Sequence, residues 1–257
     1  MKSVSSAQNP LIKQLTALQS GSRERRGKNL FVIDGWKETQ LALQNGYAIQ
    51  TVFYRKGYEV PAELQAVETI EVAEALFDKL AYRGKTSKIV SVAVPKNHWL
   101  KNLKVSKQPL LLVLDAVEKP GNLGAMLRTA DAAGIDGVIV CDTATDIYNP
   151  NVIRSSVGCV FSVPAVVASR QECVQFLKDQ KIKIFTTSLK ASSNYLKEDY
   201  KKASAFVLGT EATGVDPIWE KESDQNIIIP MRGQNDSLNV SNTAAILLFE
   251  ALRQRIL

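Results

Sequence analysis

Three short stretches gather polar residues just after runs of apolar ones. EKPGNLGAMLRTADAAG, residues 118–134, carries Asn122 and Arg128 beside Gly121 and Gly124; TEATGVDP, residues 210–217, follows Gly209 and sets Glu211 ahead of Gly214. IIIPMRGQNDSLNVSNTA, residues 227–244, offers Ser237, Asn239, Ser241 and Asn242 after Gly233. Amide, guanidinium, carboxylate and hydroxyl groups of this kind can orient a polar ligand and answer developing charge. Taken singly, each has an ordinary explanation: Asn122 as a helix cap, Arg128 as a surface charge, Glu211 as a solvated loop acid, and the serines and asparagines as caps of a following helix. Capping accounts for one or two of them. It does not account for the whole set at corresponding ends of different strands.

Several chemistries are disfavoured. His98 is the single histidine, in the polar connector PKNHWLKNLK, where solvation is expected rather than base catalysis. Cys141, Cys159 and Cys173 form no C-x-x-C pair, so neither a disulfide framework nor a zinc site is expected, and they read as reduced, buried small residues. No metal site is expected. Glu211 sits between two glycines, but the Lys-Ser/Thr of a phosphate-binding P-loop is missing, and no G-x-G-x-x-G dinucleotide fingerprint occurs.

The elements that must position these residues follow from apolar patterning. The 257 residues are 45% hydrophobic, enough for a substantial core in one large or two ordinary domains. No run approaches the roughly 18 apolar residues of a membrane span, and the first twenty residues lack a secretory pattern, so a cytoplasmic protein is expected. The acid-free start is read as a folded helix, because Leu11, Ile12, Leu15 and Leu18 recur at helical spacing. LFVIDG, IQTVFY, VETI and KIVSVAV read as strands of a small α/β unit, with helices at NPLIKQLTALQS, WKETQLALQN and EVAEALFDKLAY. The acid-free, lysine-bearing segment 94–109, with Pro95 and Pro109, reads as a linker. After it, LLLVLDAV, GVIVCD, KIFTTS, AFVLGT and NIIIPM alternate with helices at GAMLRTADAAG, QECVQFLKDQ and TAAILLFEALRQRIL. Near-continuous apolar strands separated by helices imply a mostly parallel sheet with helices on both faces. The expected division is 1–95, linker 96–109, and 110–257. Charge divides with it: residues 1–109 carry 17 basic against 9 acidic side chains, +8, whereas residues 110–257 carry 15 against 17, −2. GSRERRGK and YRGKTSK make the first part a candidate footprint for a phosphate backbone.

The blocks GNLGAMLRTADAAG, FVLGTEATGV and IIIPMRGQNDSLNVSNTAAILLFEALRQ resemble, in order and spacing, the three motifs of the SpoU (TrmH-like) branch of the SPOUT RNA methyltransferases. NPNVIRSSVGCVFSVP between the first two is similar to that family's connecting region. The amino-terminal segment NPLIKQLTALQSGSRERRGKNLFVIDGWKETQLAL resembles the substrate-binding domain often fused to it, with Asp34 where a glutamate is commoner. The resemblance implies S-adenosylmethionine as methyl donor and an RNA ribose 2′-hydroxyl as acceptor, with rRNA the favoured target and tRNA the alternative. It also implies a deep trefoil knot, which general topology rules would not anticipate, and a homodimer through the carboxyl-terminal domain. A non-catalytic RNA-binding protein of the same fold is the alternative of another class. Residue by residue, Arg128 matches the arginine assigned to activating the 2′-hydroxyl, and Asn122, Glu211, Ser237 and Asn239 match the surrounding polar positions. Gly209, Ile229 and Leu238 match positions lining the cofactor, with Thr187 and Met231 as neighbours. A guanidinium stays protonated at neutral pH, so Arg128 is also read as a group that holds the adjacent phosphate and stabilises alkoxide charge.

Overall fold

A computed structural model describes every residue except Met1, Arg83, Thr143, Ala144, Ala191, Ser192, Glu211 and Leu257. The chain forms two compact units, residues 1–97 with 146–162, and residues 98–145 with 163–257.

The first unit holds a mixed five-stranded sheet of β1 (Lys2–Val4), β2 (Phe31–Asp34), β3 (Ile49–Arg55), β4 (Glu68–Val72) and β5 (Ile89–Ala93), in the order β1-β4-β3-β5-β2. β1 and β3 flank β4 in parallel, while β5 runs antiparallel to β3 and β2. The helices are α1 (Pro10–Ser20), α2 (Ser22–Lys28), α3 (Trp36–Gln44) and α4 (Glu74–Leu80). α1 starts where expected because Asn9 caps it, its side chain accepting from the Leu11 N–H, and Pro10 needs no donor partner at the first position. Its Ile12, Leu15 and Leu18 are buried. α2 has no apolar periodicity; its one buried residue is Arg25.

The second unit is built on seven strands: β6 (Leu110–Asp115), β7 (Gly137–Cys141), β8 (Ala165–Ala168), β9 (Lys183–Thr187), β10 (Ser193–Asn194), β11 (Ser204–Leu208) and β12 (Gln225–Ile228). They order as β10-β12-β9-β11-β6-β7-β8, every pair parallel. All residues of β6, β7 and β11 are buried, as a sheet covered on both faces requires. From β6 the chain moves outward through β7 to β8, then crosses to β9 on the other side of β6, and β11 later fills the place between β9 and β6. The sheet's switch point therefore lies between β6 and β11, where ligands of open parallel sheets bind at the carboxyl ends. α5 (Pro120–Ala133) follows β6 and ends on Gly134 at φ 59°. It begins earlier than its apolar pattern suggests, with Pro120 as its first residue. Asn122 thus lies inside the first turn rather than capping it, and Arg128 falls in the third turn rather than the second.

α6 (Pro150–Ser155) belongs to the excursion 146–162, which packs with the first unit. Tyr148 stacks on Phe31 at 4.2 Å between centroids, and Tyr47 meets Phe161 edge-on at 5.0 Å. Arg25, 4% exposed, donates from Nε to Asp146 Oδ2 at 2.7 Å and from Nη1 to the Leu18 carbonyl at 2.7 Å. Arg25 is thereby removed from the phosphate footprint read into GSRERRGK, whereas Arg23, Arg26 and Lys28 stay exposed.

The remaining helices of the second unit are α7 (Arg170–Asp179), α8 (Pro217–Glu222) and α9 (Val240–Ile256). α7 opens with a capping box between Ser169 and Glu172. Arg255 near the end of α9 donates to the carbonyls of Tyr200, Lys202, Gln108 and Pro109, tying the last turn to the entrances of β6 and β11. Cys141 and Cys173 are buried and Cys159 is half-buried, all reduced. Among the described residues no helix is long and apolar enough to cross a membrane.

Candidate functional site

The three polar loops follow β6, β11 and β12, on both sides of the switch point. Asn239 precedes α9 and caps it: its Oδ1 accepts from the Ser241 N–H at 2.9 Å, and its carbonyl accepts from the Thr243 N–H at 3.1 Å. The other end of the same amide reaches a different loop, Nδ2 donating to Asn122 Oδ1 at 3.3 Å. The capping asparagine therefore joins the first polar stretch to the third, 117 residues apart. Arg128 stands six residues beyond Asn122 on α5, about 120° around the helix. It is exposed and forms no hydrogen bond or ion pair with another described residue. Ser237 is exposed and donates to Asp236 Oδ1 at 3.0 Å, so its hydroxyl is engaged locally. Glu211 lies outside the described residues.

Gly209 is buried directly after β11. A Cβ there would lie 2.1 Å from the Gly214 carbonyl oxygen and 2.4 Å from the Val215 nitrogen. Its want of a side chain serves the return of its own loop, which closes through paired Thr210 and Gly214 bonds of 2.9 and 3.0 Å. Thr187 ends β9 with its hydroxyl donating to the Val207 carbonyl at 3.1 Å, a strand-to-strand tie. Ile229 and Met231 are half-buried and Leu238 is 37% exposed. From Met231 to Leu238 no backbone N–H or C=O bonds to another described residue. Residues 232–238 are exposed, so their main-chain groups are accessible to a ligand recognised mainly through the backbone, as expected for the cofactor.

Sequence reasoning missed the device holding the second loop. Asp115, the last residue of β6, is 1% exposed. Its Oδ1 accepts from Arg170 Nε at 2.6 Å and its Oδ2 from the Asp216 N–H at 2.8 Å. Asp216 in turn caps α8, accepting from the Ile218 N–H at 3.0 Å. Arg170 also meets Asp142 at 3.2 Å and Asp216 at 3.8 Å. Burial alone would depress the guanidinium, but these three carboxylates outweigh it and raise its pKa. The ion pair fixes the carboxyl end of β6 to the far end of the Gly209 loop. Its only sequence signal was an aspartate closing an otherwise apolar strand. His98 also differs from expectation: its Nδ1 lies 2.5 Å from the Ala165 carbonyl, so it anchors the connector to the sheet edge.

A parallel α/β sheet with polar loops tied across its switch point has the layout of a ligand-binding α/β protein. The model of the SpoU rRNA Methylase family matches residues 109–249, and that of the MRM3-like substrate binding domain matches residues 9–91. The chain belongs to the SpoU rRNA methylase family. It is 31% identical to a 23S rRNA (guanosine(2553)-2′-O)-methyltransferase of Bacillus subtilis, over 97% of this chain and 98% of that one. Among solved structures, an AdoMet-bound rRNA methyltransferase from Sinorhizobium meliloti superposes with a TM-score of 0.89 at 30% identity, covering 98% of this chain and 97% of that one. The SpoU methyltransferase AviRb from Streptomyces viridochromogenes, in complex with AdoMet, does so with 0.87 at 29% identity, covering 96% and 99%.

Proposed function

We propose that the protein is an S-adenosylmethionine-dependent methyltransferase acting on a ribose 2′-hydroxyl of rRNA. The observation that carries the reading is the Asn239–Asn122 hydrogen bond, which links two of the family's motif loops while leaving the Arg128 guanidinium exposed and without a described partner. Bound S-adenosylmethionine supplies an electrophilic methyl on a sulfonium. The chain's task is to hold the ribose oxygen in line with it, a contribution of several kcal/mol from positioning alone. Main-chain groups about Ile229, Met231 and Leu238 hold the cofactor, with Gly209 and Thr187 shaping the adjoining strand ends. Arg128 grips the phosphate next to the target nucleotide and stabilises the negative charge developing on the hydroxyl oxygen as its proton passes to solvent water. Asn122 and Asn239 orient the ribose, and Ser237 completes the polar wall.

The same reading includes a knotted carboxyl-terminal chain, a cytoplasmic location and a homodimer. The dimer is supported by Phe249 and Ile256, 50% and 80% exposed and seven residues apart on one face of α9. Light scattering at micromolar concentration should report twice the chain mass, and a monomer would remove the dimer. Mapping 2′-O-methyl sites across total RNA with and without the protein should reveal one lost position in rRNA. A lost tRNA position would shift the substrate, and unchanged RNA together with no cofactor binding by calorimetry would leave a non-catalytic RNA-binding protein.

A further inference from the structure

Trp99 is 57% exposed, yet its main chain is fixed. It pairs with Val167 on the outer edge of β8, where the Val167 N–H donates to the His98 carbonyl at 2.7 Å. The indole is thus presented outward from a firm base. Lys101 Nζ sits 4.7 Å from the ring centroid, and the ring borders a hollow of about 400 Å³ lined by His98, Trp99, Leu100, Lys101, Val167 and Glu172. That volume falls within the roughly 300–1,000 Å³ of small-ligand sites. The Glu172 carboxylate is fixed at the wall by the Ser169 N–H and hydroxyl, at 2.8 and 2.7 Å. Lys101, Lys104 and Lys107 are exposed and pair with no described acid, and no acid occurs from Val94 to Pro109.

An exposed aromatic ring, a fixed acceptor and a run of lysines without acidic partners together suit an unpaired nucleotide. The ring stacks a base of any identity, the carboxylate accepts from its amino or imino hydrogens, and the lysines meet the neighbouring phosphates. We propose that this edge of the second unit binds a single-stranded segment of the RNA substrate, with one base stacked on Trp99. The proposal rests on the RNA reading above and adds a binding site outside the methyl-transfer loops.

The test uses the full chain and a short unpaired oligoribonucleotide. Trp99→Leu should weaken oligonucleotide binding about 10-fold, within the range for loss of one stacked base, and Trp99→Phe should restore most of it. RNA should quench indole emission in the parent and much less in Trp99→Leu. A triple Lys101→Gln, Lys104→Gln, Lys107→Gln variant should make the log–log salt slope about 2 units shallower, at roughly 0.7 per phosphate contact. Calorimetric affinity for S-adenosylmethionine should be unchanged in every variant. If the parent binds RNA and Trp99→Leu binds it equally well, this site is wrong while the RNA reading stands. If the parent binds no RNA, the functional reading fails and takes the site with it. If Trp99→Leu instead changes only the oligomeric state, the edge is a contact between copies and the proposal is overturned.

Discussion

Replacing Gly209 with alanine would force a Cβ to within 2.1 Å of the Gly214 carbonyl. Backbone atoms cannot swing aside, so the 210–214 turn must open, at a cost of about 1–3 kcal/mol for overpacking. Gly209→Ala should lower both Tm and cofactor affinity, and an unchanged melting curve would contradict the close approach. Asp115→Ala acts on the other end of the same loop. It takes one of three carboxylates from Arg170, which keeps Asp142 and Asp216, and leaves the Asp216 N–H without its acceptor, so a loss of about 1–3 kcal/mol is expected by denaturant titration. Asp115→Asn, which keeps the shape and one acceptor, should cost less. Arg128→Lys belongs to chemistry rather than stability, because the exposed guanidinium contributes no described bond to the fold. It should slow methyl transfer about 100-fold, in the range for losing one charge-stabilising donor, with cofactor affinity and Tm unchanged. The pH–rate profile should keep its shape, since a guanidinium stays protonated at neutral pH; a titration that disappears in Arg128→Lys would make Arg128 the base instead.

The strands of the second unit could be read from the sequence because residues buried on both faces leave unbroken apolar runs, as in Leu110–Leu114 and Ala205–Leu208. β8 escaped because its four residues are too short a run to stand out from the apolar stretch around them, even with Pro164 just ahead, and α2 because an amphipathic reading has nothing to detect in SRERRGK. Residue roles implied by the family could be placed on the loops, but the Asn122–Asn239 bond and the Asp115–Arg170–Asp216 network join positions 55 to 117 residues apart, and no local pattern encodes such partners. Asp136 shows the same long reach with a measurable consequence. It precedes β7 and accepts from the Ser106 and Leu110 N–H groups at 2.7 and 2.9 Å, pinning the start of β6. Burial would raise its carboxyl pKa, but these donors and nearby Arg255 outweigh that and hold it below the usual range. A depressed carboxylate stabilises the fold fully above its unfolded value, about 3.9, and loses that contribution as pH falls through the folded value. Stability measured from pH 6 downward should therefore decline below about pH 4, and Asp136→Asn should flatten that part of the decline while lowering stability at pH 7. Parallel curves for the two proteins would refute the linkage.

The division of charge, +8 over residues 1–109 against −2 over the rest, supports RNA capture by the amino-terminal part and predicts affinity that falls steeply with added salt; a binding constant indifferent to salt would argue otherwise. The simple division of the chain at its linker is less useful for experiments. A fragment beginning near Lys104 would carry residues 146–162 without their partners, leaving Tyr148, Phe161 and Asp146 stripped of Phe31, Tyr47 and Arg25. Such a fragment should therefore melt lower than the intact chain and bind S-adenosylmethionine more weakly, and full cofactor affinity at unchanged Tm would show that the excursion is dispensable. The excursion also bears on how the protein is made. The last strand of the first unit is synthesised by residue 93, but its closing aromatic and ionic partners emerge only after the 48 residues from 98 to 145. On the ribosome the amino-terminal unit must wait, incomplete, until β6, α5 and β7 have already been extruded, so maturation of the two units is interleaved in time instead of sequential.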